Sequence, residues 1–279
     1  MKAVRLLKKN SMRFINKSFS PKRFFGLSTH YLYSMKRNPA RFIEILLWPS
    51  IEIVLFSMLT LWLQKSTTST ERVALSIISG VIFWNYFARI IQESVSQFTD
   101  DAISKNIQNF LITPVSLFEF VLSLMFVSLV KLLGSLVLLS LILLFFFPSF
   151  FSVIGIPGLL WATTLVLYGC VVSLLCISFL FIYGERLSFV GWFLSMIIEI
   201  FSCIFYERRI LPGPLQAVSF LNPASYVFES IRIYLKQGFF DPKQLFFANT
   251  LTLILFAVCY GIFLYAYSVA RNKGTLTKM

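Results

Sequence analysis

Three ionisable residues, Glu52, Lys131 and Glu199, lie well inside long apolar runs. A charge at the centre of a bilayer costs roughly 2.5 to 3.5 kcal/mol on insertion scales, so residues of this kind serve in charge pairs, substrate paths or proton and ion relays. If the three runs are helices entering from one side, a rise of about 1.5 Å per residue puts Lys131 at a depth of about 20 Å, Glu199 at about 15 Å and Glu52 at about 14 Å. The similar depths predict that Lys131 pairs with Glu199 or Glu52. Glu44 and Glu119 stand at the starts of their runs, where a carboxylate suits a helix N-terminus.

Other chemistry lacks its residues. No GxxxxGK[ST] occurs, so the backbone phosphate cradle and lysine of a P-loop are missing, and GxGxxG, HExxH and GxSxG are missing too. His30 stands alone, which leaves no histidine-based triad or metal site. Cys170, Cys176, Cys203 and Cys259 form no CxxC pair and read as small core residues. The expectation is a chain that is not an enzyme and holds no metal or cofactor of its own.

The elements that must position these residues are membrane helices. Hydrophobic residues make up 57% of the chain and charged ones only 13%, about half the roughly 25% charged fraction of soluble domains. Six runs are long and apolar enough for a hydrocarbon core of about 30 Å: 43–63, 73–91, 118–147, 158–183, 189–206 and 245–269. Trp48-Pro49 predicts a kink in the first. The third is unusually long and must tilt, kink or project. The segments 148–157 and 184–188 read as a short outer loop and a tight inner one.

The net charge of +13 is concentrated at the start, with eleven Lys or Arg and no acid up to Arg41. A basic tail before a hydrophobic span fits anionic lipid headgroups and the positive-inside rule, and no nucleic-acid module accompanies it. No apolar run of signal-peptide type follows the first cations, and the tail reads as an interfacial amphipathic helix. With six spans the termini share a side. That side carries seventeen cations against seven on the other, so both termini are expected in the cytoplasm.

Two further helices follow from periodicity. Val95, Phe98, Ala102, Ile103, Ile107, Phe110 and Leu111 recur at helical spacing and predict an amphipathic cytosolic helix ended by Thr113-Pro114. Such a helix either packs on the membrane surface or docks a partner protein. Between the last two spans, 205–232 is too polar to cross a bilayer. There Asn222 is an N-cap, Pro223 suits the first helical position and Gly238 supplies a stop. Ala224, Val227, Phe228, Ile231 and Leu235 fall on one face; Ser225, Glu229, Arg232 and Lys236 fall on the other. The pattern predicts an interfacial helix, with Glu229 and Arg232 paired from i to i+3.

The basic tail, RNPARFIEILLWPSIEIVLF, NIQNFLITPVSLFEF and the stretch before the last span together resemble a type-2 ABC transporter permease, from about Phe24 onward. Members carry an SG-x-x-(F/Y)-P stretch, then LP, then NP-x-x-Y-x-x-(E/D)-x-x-R. The matching residues are Ser202, Phe205, Tyr206, Leu211, Pro212, Asn222, Pro223, Tyr226, Glu229 and Arg232. Cys203 stands where glycine is usual and Glu207 where proline is common.

The resemblance implies an all-α membrane protein of six transmembrane helices, with an interfacial N-terminal helix, a cytosolic coupling helix and an outer re-entrant hairpin. Its segments are a basic tail over 1–42, a permease domain over 43–269 with the coupling helix at 93–112 and the hairpin at 207–243, and a C-tail over 270–279. It implies export through a dimer, a homodimer as the first expectation, in a bacterial-type inner membrane among membrane lipids. Separate ATP-binding subunits would hold ATP and Mg and dock on Phe98, Asp100, Asp101 and Ile107. Family substrates include drugs, lipids, glycolipids and polysaccharides. The alternative from another class is an ion- or proton-coupled secondary transporter using Glu52, Lys131 and Glu199, although no inverted repeat is evident.

Overall fold

A computed structural model describes residues 19–37, 39–66, 71–107, 113 and 115–273. Among these residues the structure is helical, with no strand. The α-helices are α1 (Pro21–Arg37), α2 (Pro39–Ser66), α3 (Glu71–Ile103), α4 (Leu117–Phe146), α5 (Phe150–Tyr183), α6 (Val190–Phe201), α7 (Gly213–Phe220), α8 (Pro223–Gln237) and α9 (Pro242–Lys273). Five are long and apolar enough to cross a membrane: α2, α3, α4, α5 and α9. The chain is a multi-pass integral membrane protein.

Helix α3 is the axis of the bundle, with 83% of its apolar window buried, against 28% for α2, α4 and α9. Its 33 residues rise about 50 Å, well beyond a 30 Å core. The expected second span and the expected separate cytosolic helix are here one helix up to Ile103. No glycine or proline interrupts Val81 to Ile103, and Ile91, Val95, Phe98 and Ala102 extend one buried face through the junction. Residues 108–112 of the expected helix lie outside the described residues. Helices α5 and α6 pack closely on α3. A Cβ on Gly169 would meet the Phe87 carbonyl oxygen at 3.0 Å, and one on Gly191 would meet Val95 at 3.1 Å.

Helix α1 is amphipathic as its residues predict. Phe24, Leu27, Ser28 and Tyr31 are buried, and Phe25 and Tyr33 are exposed. The Phe24 ring meets that of Phe126 on α4, with centroids 5.4 Å apart. Helix α2 runs through Pro49. Helix α5 begins at Phe150, inside the expected outer loop, and is broken once at Gly155, whose φ of 53° and ψ of −148° are accessible to glycine. Gly184, with φ of 79°, ends it in a single 3₁₀ turn over Gly184–Leu187, the tight loop the sequence predicts.

The largest departure from the sequence reading is α6. Its twelve residues rise about 18 Å, short of a full crossing, where an 18-residue span over 189–206 is expected. The helix stops because Cys203 takes φ of 55°, in the left-handed region. The chain then turns back through α7 into α8, which carries the polar groups that receive the broken end.

Candidate functional site

Helix α8 forms as its caps dictate. The Asn222 side chain accepts a hydrogen bond from the Ala224 N–H at 3.1 Å, Pro223 opens the first turn, and Gly238 closes it in the left-handed conformation with φ of 73°. Ala224, Val227, Phe228, Ile231 and Leu235 are all buried. The expected polar face is not a solvated one, because Ser225 and Arg232 are buried as well. Helix α8 therefore sits inside the bundle, with the Trp161 indole N–H donating to Ser230 at 3.0 Å from behind.

The buried polar groups of α8 hold the end of α6. Asn222 donates from Nδ2 to Ser202 Oγ at 3.0 Å and to the Ile198 carbonyl at 3.4 Å. Arg232 donates from Nη2 to the carbonyl oxygens of Cys203, at 2.7 Å, and Tyr206, at 2.9 Å, while Nη1 pairs with Glu229. The expected Glu229–Arg232 pair thus exists, but its work is to orient a guanidinium that satisfies carbonyls freed by a broken helix. Arg208 lies between the rings of Phe220, at 4.2 Å, and Tyr226, at 4.7 Å, and donates to Ser225 at 2.8 Å. The Tyr226 hydroxyl donates to the Phe220 carbonyl at 3.1 Å. Pro212 is exposed at the start of α7. Outside the spans, a hydrogen bond from Lys236 at 2.6 Å holds the Glu207 carboxyl below its ordinary range.

The predicted trio of membrane charges divides. Lys131 is buried on α4 and donates to Glu93 at 3.1 Å and Gln97 at 3.2 Å, both on α3, with Ser94 donating to Ser128 at 3.0 Å one turn away. It meets neither Glu52 nor Glu199. The sequence reading puts Glu93 at the start of the expected cytosolic helix, outside the membrane, whereas continuation of α3 carries it onto the face opposite Lys131.

Glu52 and Glu199 do come together, in a cleft of about 360 Å³ between α2, α3 and α6. Trp48, Trp84, Trp192, Asn85 and Arg89 also line it. Asn85 donates to Glu52 Oε2 at 3.3 Å. Arg89 acts electrostatically on Glu52, and Glu52 on Glu199. The Trp48 and Trp192 rings meet edge to face at 5.8 Å. Sequence reading missed Asn85 and Arg89; their signal is their spacing of four residues on a helix whose opposite side is apolar.

Of the residues expected to dock a partner, Phe98, Asp101 and Ile107 are buried and Asp100 is exposed. Phe98 packs edge-on against Phe120 and Phe181, with centroids 6.1 and 5.1 Å apart. Asp101 faces Tyr31 of α1 and Asn106, and burial raises the Tyr31 hydroxyl well above its ordinary range. Glu119 does more than suit a helix start. It closes a capping box with Ser116 and accepts from the Ser20 N–H at 2.7 Å and from Arg23 at 2.8 Å, fastening α1 to α4. No protein-family model matches this chain, and no match to it is found among curated proteins.

Proposed function

We propose that this chain is the permease subunit of an ATP-driven type-2 ABC exporter, with a substrate path formed as a dimer and coupled to separate ATP-binding subunits. The observation that carries the reading is the junction of α6 and α8. The residues of the NP-x-x-Y-x-x-E-x-x-R run make one capped helix, and its Asn222 and Arg232 receive the broken end of α6. A short helix and a buried polar hairpin before the last span are what a re-entrant element needs, since backbone groups within a membrane must be satisfied by protein. The left-handed φ at Cys203, where the family usually has glycine, points the same way.

In this reading α6 and the turn after it, up to Tyr206, make the fifth of six crossings, the hairpin over 207–243 lies at the outer side, and both termini are cytoplasmic in a bacterial-type inner membrane. The projecting end of α3 is the coupling element. Its docking surface is the exposed set Asp100, Ile103 and Lys105, while Phe98, Asp101 and Ile107 support that surface from within. ATP and Mg belong to the partner subunit, and the second protomer is a copy of this chain.

One observation favours the secondary-transporter alternative: Glu52 and Glu199 share a cleft with a buried arginine. Inside-out vesicles separate the two readings. The exporter accumulates substrate on addition of MgATP with ion gradients collapsed; accumulation driven by an ion gradient without ATP overturns it.

A further inference from the structure

The cleft between α2, α3 and α6 is unlike the other polar sites of the bundle because, among the described residues, one of its carboxylates has no donor. Lys131 has Glu93 at 3.1 Å, Arg232 pairs with Glu229, and Arg23 has Glu119 at 2.8 Å. In the cleft Arg89 and Asn85 serve Glu52. Among the described residues no side chain donates to the Glu199 carboxylate, and the charge that acts on it is the like charge of Glu52. The lining carries two carboxyl groups against one guanidinium in a largely apolar wall. A carboxylate so placed is costly until a cation or a proton meets it, and a bound cation is what keeps it ionised.

The rest of the lining restricts that cation. Trp48, Trp84 and Trp192 present indole rings, the aromatic surface that best attracts a cation. Leu55, Met196 and Ile51 supply apolar contact. A volume of about 360 Å³ suits a small organic molecule rather than a bare metal ion. We infer that this cleft binds a lipophilic cation, an ammonium or phosphonium centre on an apolar body, with Glu199 as its counter-ion and the three indoles as its wall. The inference rests on the export reading only for its physiological meaning, since binding needs neither ATP nor a partner.

Two ions of one shape and opposite charge test it. The full chain in micelles of a non-ionic maltoside detergent is titrated with tetraphenylphosphonium and, separately, with tetraphenylborate, following tryptophan quenching and equilibrium dialysis against empty micelles. The phosphonium binds saturably and the borate at least about tenfold more weakly. Glu199→Gln lowers phosphonium affinity about tenfold or more, a loss of about 1.4 kcal/mol, while Glu199→Asp keeps most of it. Adding phosphatidylethanolamine identifies the source: competition assigns the site to a lipid ammonium headgroup, no competition to a free cation, and both retain the ammonium chemistry. Borate binding as tight as phosphonium, or phosphonium affinity unchanged in Glu199→Gln, overturns the inference. Neither outcome bears on ATP coupling, so this inference and the export reading fail separately.

Discussion

Arg232 reaches across 29 residues of sequence to donate to the carbonyl oxygen of Cys203 at 2.7 Å, in the one turn that stops α6 short. Two freed carbonyls and one carboxylate converge on this guanidinium. Replacing it with Met leaves all three buried or half-buried without a donor. Arg232→Met should cost about 2 to 4 kcal/mol, and Arg232→Lys should recover only part of it, because an ammonium cannot fork between Cys203 and Tyr206. Thermal unfolding of the detergent-solubilised protein measures both.

At Cys203 itself, a non-glycine residue held in the left-handed region costs on the order of 1 kcal/mol. Cys203→Gly should therefore leave stability unchanged or raise it by up to about 1 kcal/mol, against the loss of a contact with Ser219 at 3.3 Å. A β-branched residue has no such conformation available at low energy. Cys203→Val should be destabilised, and the order of melting temperatures Gly, Cys, Val checks the turn.

The Lys131–Glu93 pair is buried on both sides, with the ammonium side chain 3% exposed. Breaking one side strands the other charge, so Lys131→Met and Glu93→Gln should each cost about 3 to 5 kcal/mol. The double variant strands neither. It should be several kcal/mol more stable than the sum of the single losses, which a double-mutant cycle on unfolding free energies reads directly.

Glu119 joins α1 to α4 through Ser20 and Arg23. Arg23→Ala and Glu119→Gln should release α1 while leaving the spans folded. Hydrogen exchange should rise across 20–33 and stay unchanged in α5. Equal protection of α1 in the variants would show that Phe24, Leu27 and Tyr31 hold it without the ion pair.

What could be read from residue order was local. Asn222, Pro223 and Gly238 mark the ends of α8 within one residue, because caps and stops are properties of neighbouring residues. The length of α6 was hidden. Its apolar run continues to Tyr206, and the break is set by a left-handed residue and by donors from Asn222 and Arg232, which lie 20 and 29 residues beyond the atoms they receive. The partner of Lys131 was hidden for a related reason. The apolar run of the second span ends at Ile91 and the amphipathic pattern beyond it reads as a separate helix, yet no breaker ends α3 there, and Glu93 is turned inward. Glu119 was legible only as a carboxylate suited to a helix N-terminus; its capping box with Ser116 emerges from the structure, and the arginine it recruits comes from 96 residues earlier.

ATP coupling through the exposed end of α3 is the central claim, and one preparation tests it. The tagged chain, purified from its native membranes into nanodiscs, should carry an ATP-binding subunit with MgATP hydrolysis, and Asp100→Lys should lower that hydrolysis about tenfold or more without moving the chain's melting temperature. A preparation with no ATPase, or one whose ATPase is indifferent to Asp100→Lys, would contradict it.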